Sequence, residues 1–193
     1  MDSVKGILRL SWGVALRLAI VVLTAASVQT NADASVADEY QVKASFLYNF
    51  TKFVEWPAGV FESSDSPISI CVLGQNLFGH VLQETVREKS VNGRMLVVSG
   101  IPDARSATHC QILFVSSFER THFGAILGEL RTGILTVGET GGFIEAGGVV
   151  NLKLETGKIQ IQVNIDAAEQ AGVRISSKLL SLAQIIRNSV AAK

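Results

Sequence analysis

No excess of charge marks this sequence: 17 Lys and Arg stand against 17 Asp and Glu. A surface without surplus positive charge gives no footprint for nucleic acid or for an anionic membrane. Reactive clusters are scarce as well. The three histidines, His80, His109 and His122, have no second ligand at helical spacing and no cysteine at zinc-site spacing. There is no G-x-S-x-G elbow, P-loop or H-E-x-x-H motif. Ser177-Lys178 is a poor catalytic dyad, because neighbouring helical residues point about 100° apart. Asn49-Phe50-Thr51 has the form of a glycosylation sequon, but it falls inside a helical pattern. A hydrolase would need a nucleophile and base within hydrogen-bonding reach, and no segment advertises them. No catalytic residue, metal ligand or cofactor is therefore expected. With three prolines among 193 residues and no internal repeat, short turns between regular elements are expected.

What is present begins with an export signal. Lys5, Arg9 and Arg17 precede or border the apolar run Leu18–Ala26, which is signal-peptide length and short for a membrane span. Ala32-Asp33-Ala34 supplies an A-x-A cleavage site, so residues 1–34 are expected to be removed and residues 35–193 to form one domain. The first cysteine after that run is Cys71, too distant for a lipid-modified N-terminus. Export points to the periplasm. Loss of Lys5, Arg9, Arg17, Asp2 and Asp33 leaves a net charge of −1.

Two cysteines in an exported chain, Cys71 and Cys110, read most simply as one disulfide. A pair of buried free thiols is the competing reading, and Cys110 beside His109 also admits a metal or thiolate pair.

Periodicity outlines the fold. Tyr40, Ala44, Leu47, Phe50 and Val54 recur at spacings of three and four, predicting a helix over 36–55 that Trp56-Pro57 ends. Seven of the thirteen aromatic residues lie between Tyr40 and Phe61. Apolar runs at 68–73, 95–98, 112–115 and 134–137 read as strands. Helices are expected between them, one capped by Asn76 and reaching Lys89, another over 118–130. Continuous apolar strands alternating with helices imply an α/β fold, a mainly parallel sheet flanked by helices in three layers. A Cys71–Cys110 bond would make the strands at 68–73 and 112–115 neighbours, with 95–98 outside the first and 134–137 beyond the second. After them come an alternating β-hairpin around Thr156-Gly157, a short helix ending at Gly172, and a terminal helix opened by Ser176.

Two regions are candidate sites on these grounds. Gly74-Gln75-Asn76 and Gly138, Gly141 and Gly142 follow parallel strands, where open sheets bind ligands, so they form a candidate ligand cleft. Trp56 closes the first helix and is either a core residue or an interface anchor.

Two segments together carry a resemblance. One is Tyr40-Gln41-Val42-Lys43-Ala44-Ser45-Phe46-Leu47-Tyr48-Asn49-Phe50 continuing through Lys52–Pro57; the other runs from Gly142-Phe143 through Gly147–Leu152 and Ile161–Asn164 to Ala171–Ala183. In these the chain resembles the YfiR family. That resemblance implies a periplasmic repressor that binds the periplasmic portion of an inner-membrane diguanylate cyclase and so lowers cyclic-di-GMP. It implies an outer-membrane OmpA-like lipoprotein that sequesters the repressor, and a homodimer. It also implies that Cys71 and Cys110 form the family's disulfide, while a second bridge has no cysteines here. Trp56, Phe143, Ile165 and Arg174 match the family pattern at element ends and are the expected partner-binding residues. The alternative function is a periplasmic small-ligand sensor that uses the cleft above and accompanies another membrane signalling protein.

Overall fold

A computed structural model describes residues 29–57 and 59–187, with side chains from residue 35 onward. The expected leader lies outside the described residues except for its last six, which are helical. Chain contacts separate residues 1–39 from residues 40–193, and the sheet and both cores belong to the second unit. Among the described residues no helix is long and apolar enough to cross a membrane.

Helix α1 spans Gln29–Phe53 and buries Tyr40, Ala44, Leu47 and Phe50, the stripe expected from their spacing. It ends two residues before the predicted boundary. Val54–Glu55 leaves the helix as strand β1 and pairs antiparallel with β9, Arg174–Ile175, and Ser176 N–H bonds the Phe53 carbonyl at 2.8 Å. An available strand partner therefore overrides helical periodicity there.

The main sheet has eight strands in the order β10-β8-β7-β6-β5-β2-β4-β3 among the described residues. Its parallel centre consists of β4 (Arg94–Ile101), β2 (Ile68–Leu73), β5 (Ile112–Val115) and β6 (Leu135–Gly138). This is the strand order that a Cys71–Cys110 link predicts, and that disulfide is present with Cα atoms 5.8 Å apart. Every residue of β5 and β6 is buried, as both faces of a parallel sheet must be. β7 (Val150–Glu155) runs parallel to β6 and makes the expected hairpin with β8 (Lys158–Asn164). β3 (Ser90–Val91) caps the start of β4.

The helices are shorter than their sequence patterns. α2 covers only Val81–Val86, because Asn76 accepts from Phe78 N–H in a local turn instead of capping a helix. The segment expected as a helix over 118–130 splits into a 3-10 turn, Ser117–His122, and α3, Phe123–Gly128. α4, Ile165–Gln170, is capped by the Asn164 side chain and closed at Gly172, whose φ of +69° suits glycine. The terminal helix is a correction to the predicted fold. α5 is a single turn, Ser177–Leu180, and Gln184–Ile186 become β10, parallel to β8. The open edge of β8 offers backbone partners, and Gln162 Nε2 donates to Gln184 Oε1 at 3.1 Å across that seam.

Two cores result. The larger joins α1, α2, α4 and one face of the sheet, and the smaller packs Leu73, Leu113, Val115, Phe123, Ile126 and Phe143 around the disulfide.

Candidate functional site

The carboxyl ends of β2, β5 and β6 meet at the top of the sheet, on the side where open α/β folds bind ligands. A protein carboxylate is seated there. Glu139 follows β6, accepts from Ser117 N–H at 2.8 Å and from Tyr40 Oη–H at 2.7 Å, and pairs with Lys43 Nζ at 2.6 Å. Both ionic side chains are only 2 % exposed. The Lys43 ammonium also lies 4.5 Å from the Tyr40 ring centre. Burial by itself would raise the Glu139 pKa, but the Lys43 charge, with hydrogen bonds from Lys43, Tyr40 and Ser117, holds it below its ordinary value. This cluster escaped the sequence reading, although Lys43 stands three residues after Tyr40 on the apolar stripe, where a solvated lysine would not sit.

The glycines beside it serve packing. A Cβ on Gly138 would meet the Phe143 ring at 2.3 Å, and one on Gly148 would meet it at 2.2 Å. Phe143 is fully buried between them and stacks edge-on against Phe123, with centroids 5.0 Å apart. Its expected place on a partner surface is therefore corrected: it is a core residue whose ring the flanking glycines admit. Gly141 is half-buried and Gly142 is exposed at the loop's turn. Gly74, Gln75 and Asn76 are exposed after β2, and the Glu119 side chain comes within 2.9 Å of where a Gly74 Cβ would be. Of the expected cleft residues, Gly74 is thus approached by Glu119 and Gly138 by Phe143, while Gly141 and Gly142 have nothing within 4 Å of a Cβ position.

Other predicted residues do converge. Ile165 and Arg174 line one groove of about 280 Å³ with Ala168, Glu169, Val173, Ile175 and Leu180. Its floor is apolar, and Arg174 and Glu169 at its rim are exposed. Arg174 stands opposite Glu55 in the β1–β9 pair, so Trp56 is the next residue along. The Trp56 indole is half-buried, donates Nε1–H to the Gln111 carbonyl at 3.1 Å and packs edge-on to Phe61. Trp56 anchors the chain leaving α1, beside the groove and not in it.

His109 and His122 are exposed and lie against Glu62 and Glu119 at 3.2 and 3.4 Å. Among the described residues no three His, Cys, Asp or Glu side chains gather as a metal site.

Comparison with known proteins adds one strong match. Residues 40–184 fit the profile of a family described as YfiR/HmsC-like. No curated protein sequence matches. Two solved structures are similar to part of the chain. One is a conserved domain protein from Vibrio cholerae O1 biovar El Tor str. N16961, at 14 % identity and TM-score 0.46 over 62 % of this chain and 54 % of that one. The other is an ABC domain in complex with L-Trp from Streptococcus pneumonia, at 11 % identity and TM-score 0.46 over 62 % of this chain and 55 % of that one. The chain spans about half the length of each.

Proposed function

This chain belongs to the YfiR/HmsC-like family, and on that premise we propose that it is a periplasmic regulator that binds the periplasmic part of an inner-membrane diguanylate cyclase and holds it inactive. The match over residues 40–184 carries the reading, since it takes in α1 from Tyr40 onward, the sheet as far as Gln184 and the groove together. In this reading residues 1–34 are an export signal, the mature chain from residue 35 is one homodimeric domain, and an OmpA-like outer-membrane lipoprotein relieves repression by competing for it. A repressor of this kind works through differential affinity for one state of its target. Shifting a switch from about 1:99 to about 99:1 takes roughly 5.5 kcal/mol, within reach of one aliphatic and one arginine anchor. The groove offers that combination: Ile165 over an apolar floor, with Arg174 exposed at the rim. The small-ligand alternative would use the loops at Gly74–Asn76 and Gly141–Gly142, where Gly141 and Gly142 have open space beside them.

The test is capture of this chain by the cyclase's periplasmic domain, with cyclic-di-GMP measured in cells. Ile165→Lys and Arg174→Glu should abolish capture and raise cyclic-di-GMP while circular dichroism shows that each variant is still folded, with some loss of melting temperature from the core contact of Ile165 and the Glu55 opposite Arg174. Wild-type protein that is not captured, with cyclic-di-GMP unaltered on deletion, removes the proposal.

A further inference from the structure

The two ends of the sheet are finished differently, and the β4 end is incomplete. β3 covers only the first residues of β4, through Ser90↔Met95 and Val91↔Arg94, and Leu96 N–H then bonds the Lys89 carbonyl at 3.2 Å. Backbone groups of successive strand residues point to alternate sides, so this bond sets the parity. Met95, Val97, Ser99 and Ile101 turn their N–H and C=O groups toward β2, and Leu96, Val98 and Gly100 turn theirs outward. Among the described residues, the outward groups of Val98 and Gly100 have no backbone partner. The segment Leu96–Ile101 contains no charge, and Val97 is 41 % exposed. Gly100 is exposed, and a Cβ on it would meet nothing within 4 Å. The protomer's own packing does not call for glycine there, and a glycine inside a strand marks a place where another backbone approaches.

We propose that this edge pairs antiparallel with the same edge of a second copy, about a two-fold axis at Ser99. The inference deepens the self-association in the reading above and rests on it. In this register Val98 faces Gly100 of the copy and Gly100 faces its Val98, so the four outward N–H and C=O groups of these two residues are used. Each valine stands against a residue with no side chain. Val97 faces Ile101 and Ser99 faces Ser99, an apolar pair and a hydroxyl pair of the kinds that stabilise cross-strand contacts. The next pair outward would be Leu96 with Pro102. Leu96 N–H is already committed to Lys89, and proline has no N–H, so pairing stops there on both sides. This self-match points to a second copy rather than a foreign strand: an isologous interface requires residue i opposite j and j opposite i. Closing the edge also removes an uncharged strand that would otherwise recruit further chains.

The experiment is sedimentation velocity on the full mature chain with amide hydrogen exchange, alongside capture by the cyclase domain. Wild type should sediment as a dimer, with Val98 and Gly100 amides protected more at high protein concentration. Gly100→Glu has room in the protomer but puts a carboxylate against Val98 of the copy. It should weaken the dimer by at least about tenfold, deprotect those amides and leave the melting temperature within a few degrees of wild type. Ile185→Lys, at the opposite sheet end, should leave the dimer intact. A monomeric wild type, a dimer that survives Gly100→Glu, or a dimer dissolved by Ile185→Lys overturns the inference. Capture by the cyclase domain is scored separately, so loss of this interface and loss of the regulatory reading remain distinguishable.

Discussion

Replacing Glu139 by Gln tests the chemistry at the top of the sheet most directly. The exchange keeps size but leaves one acceptor oxygen where two serve Ser117 N–H (Oε1) and Tyr40 Oη–H (Oε2), and it removes the charge 2.6 Å from Lys43 Nζ. At that separation the attraction is about 6 kcal/mol with an effective dielectric of about 20. Desolvating two ions at 2 % exposure opposes it by several kcal/mol each, so the intact pair adds little net stability. Removing one partner is another matter, because the remaining ion keeps its desolvation penalty without its counter-charge. Glu139→Gln should therefore cost about 3–5 kcal/mol, which lowers the melting temperature of a chain this size by roughly 6–20 °C. Lys43→Met should cost a similar amount, and the double variant much less than the sum. Denaturant unfolding of the four proteins as a double-mutant cycle measures the coupling. Single variants that each cost under about 1 kcal/mol and simply add would refute the argument that this pair is a buried, mutually dependent unit.

Acid should expose the same pair. Glu139 is held below its ordinary value, so its contribution is present above the unfolded-state pKa of about 4.3 and is lost as pH falls through the lower folded value. Wild type should thus lose stability on acidification below about pH 4.3 more steeply than Glu139→Gln, as read from melting temperature against pH. The Cys71–Cys110 bond closes a loop with a sequence separation of 39, worth about 4 kcal/mol in the chain-entropy model. Paired Cys71→Ser and Cys110→Ser changes, or reductant, should lower the denaturation midpoint accordingly. Phe143→Ala should cost about 3–5 kcal/mol as a core truncation, and Gly148→Ala should destabilise through its clash with the Phe143 ring. Unaltered thermal melts of either variant would return Phe143 to the surface.

Sequence alone determined whatever depends on local periodicity and covalent spacing. The apolar stripe on α1, the four apolar strands of the parallel centre, the β7–β8 hairpin and the Gly172 cap follow from sequence patterns that a single element must satisfy by itself. Tertiary structure decided what depends on a partner distant in sequence. Val54–Glu55 and Gln184–Ile186 became strands because β9 and β8 presented open edges to them, which no local pattern encodes. Lys43 and Glu139, 96 residues apart, are buried because each is the other's counter-ion; the apolar stripe hints at a buried Lys43, but nothing local names Glu139 as its partner. At Gly138 the close neighbour is the Phe143 ring, while Gly141 and Gly142 have nothing within 4 Å. Glycine spacing reports that something comes close to the backbone, and only the folded chain shows that the visitor is its own ring.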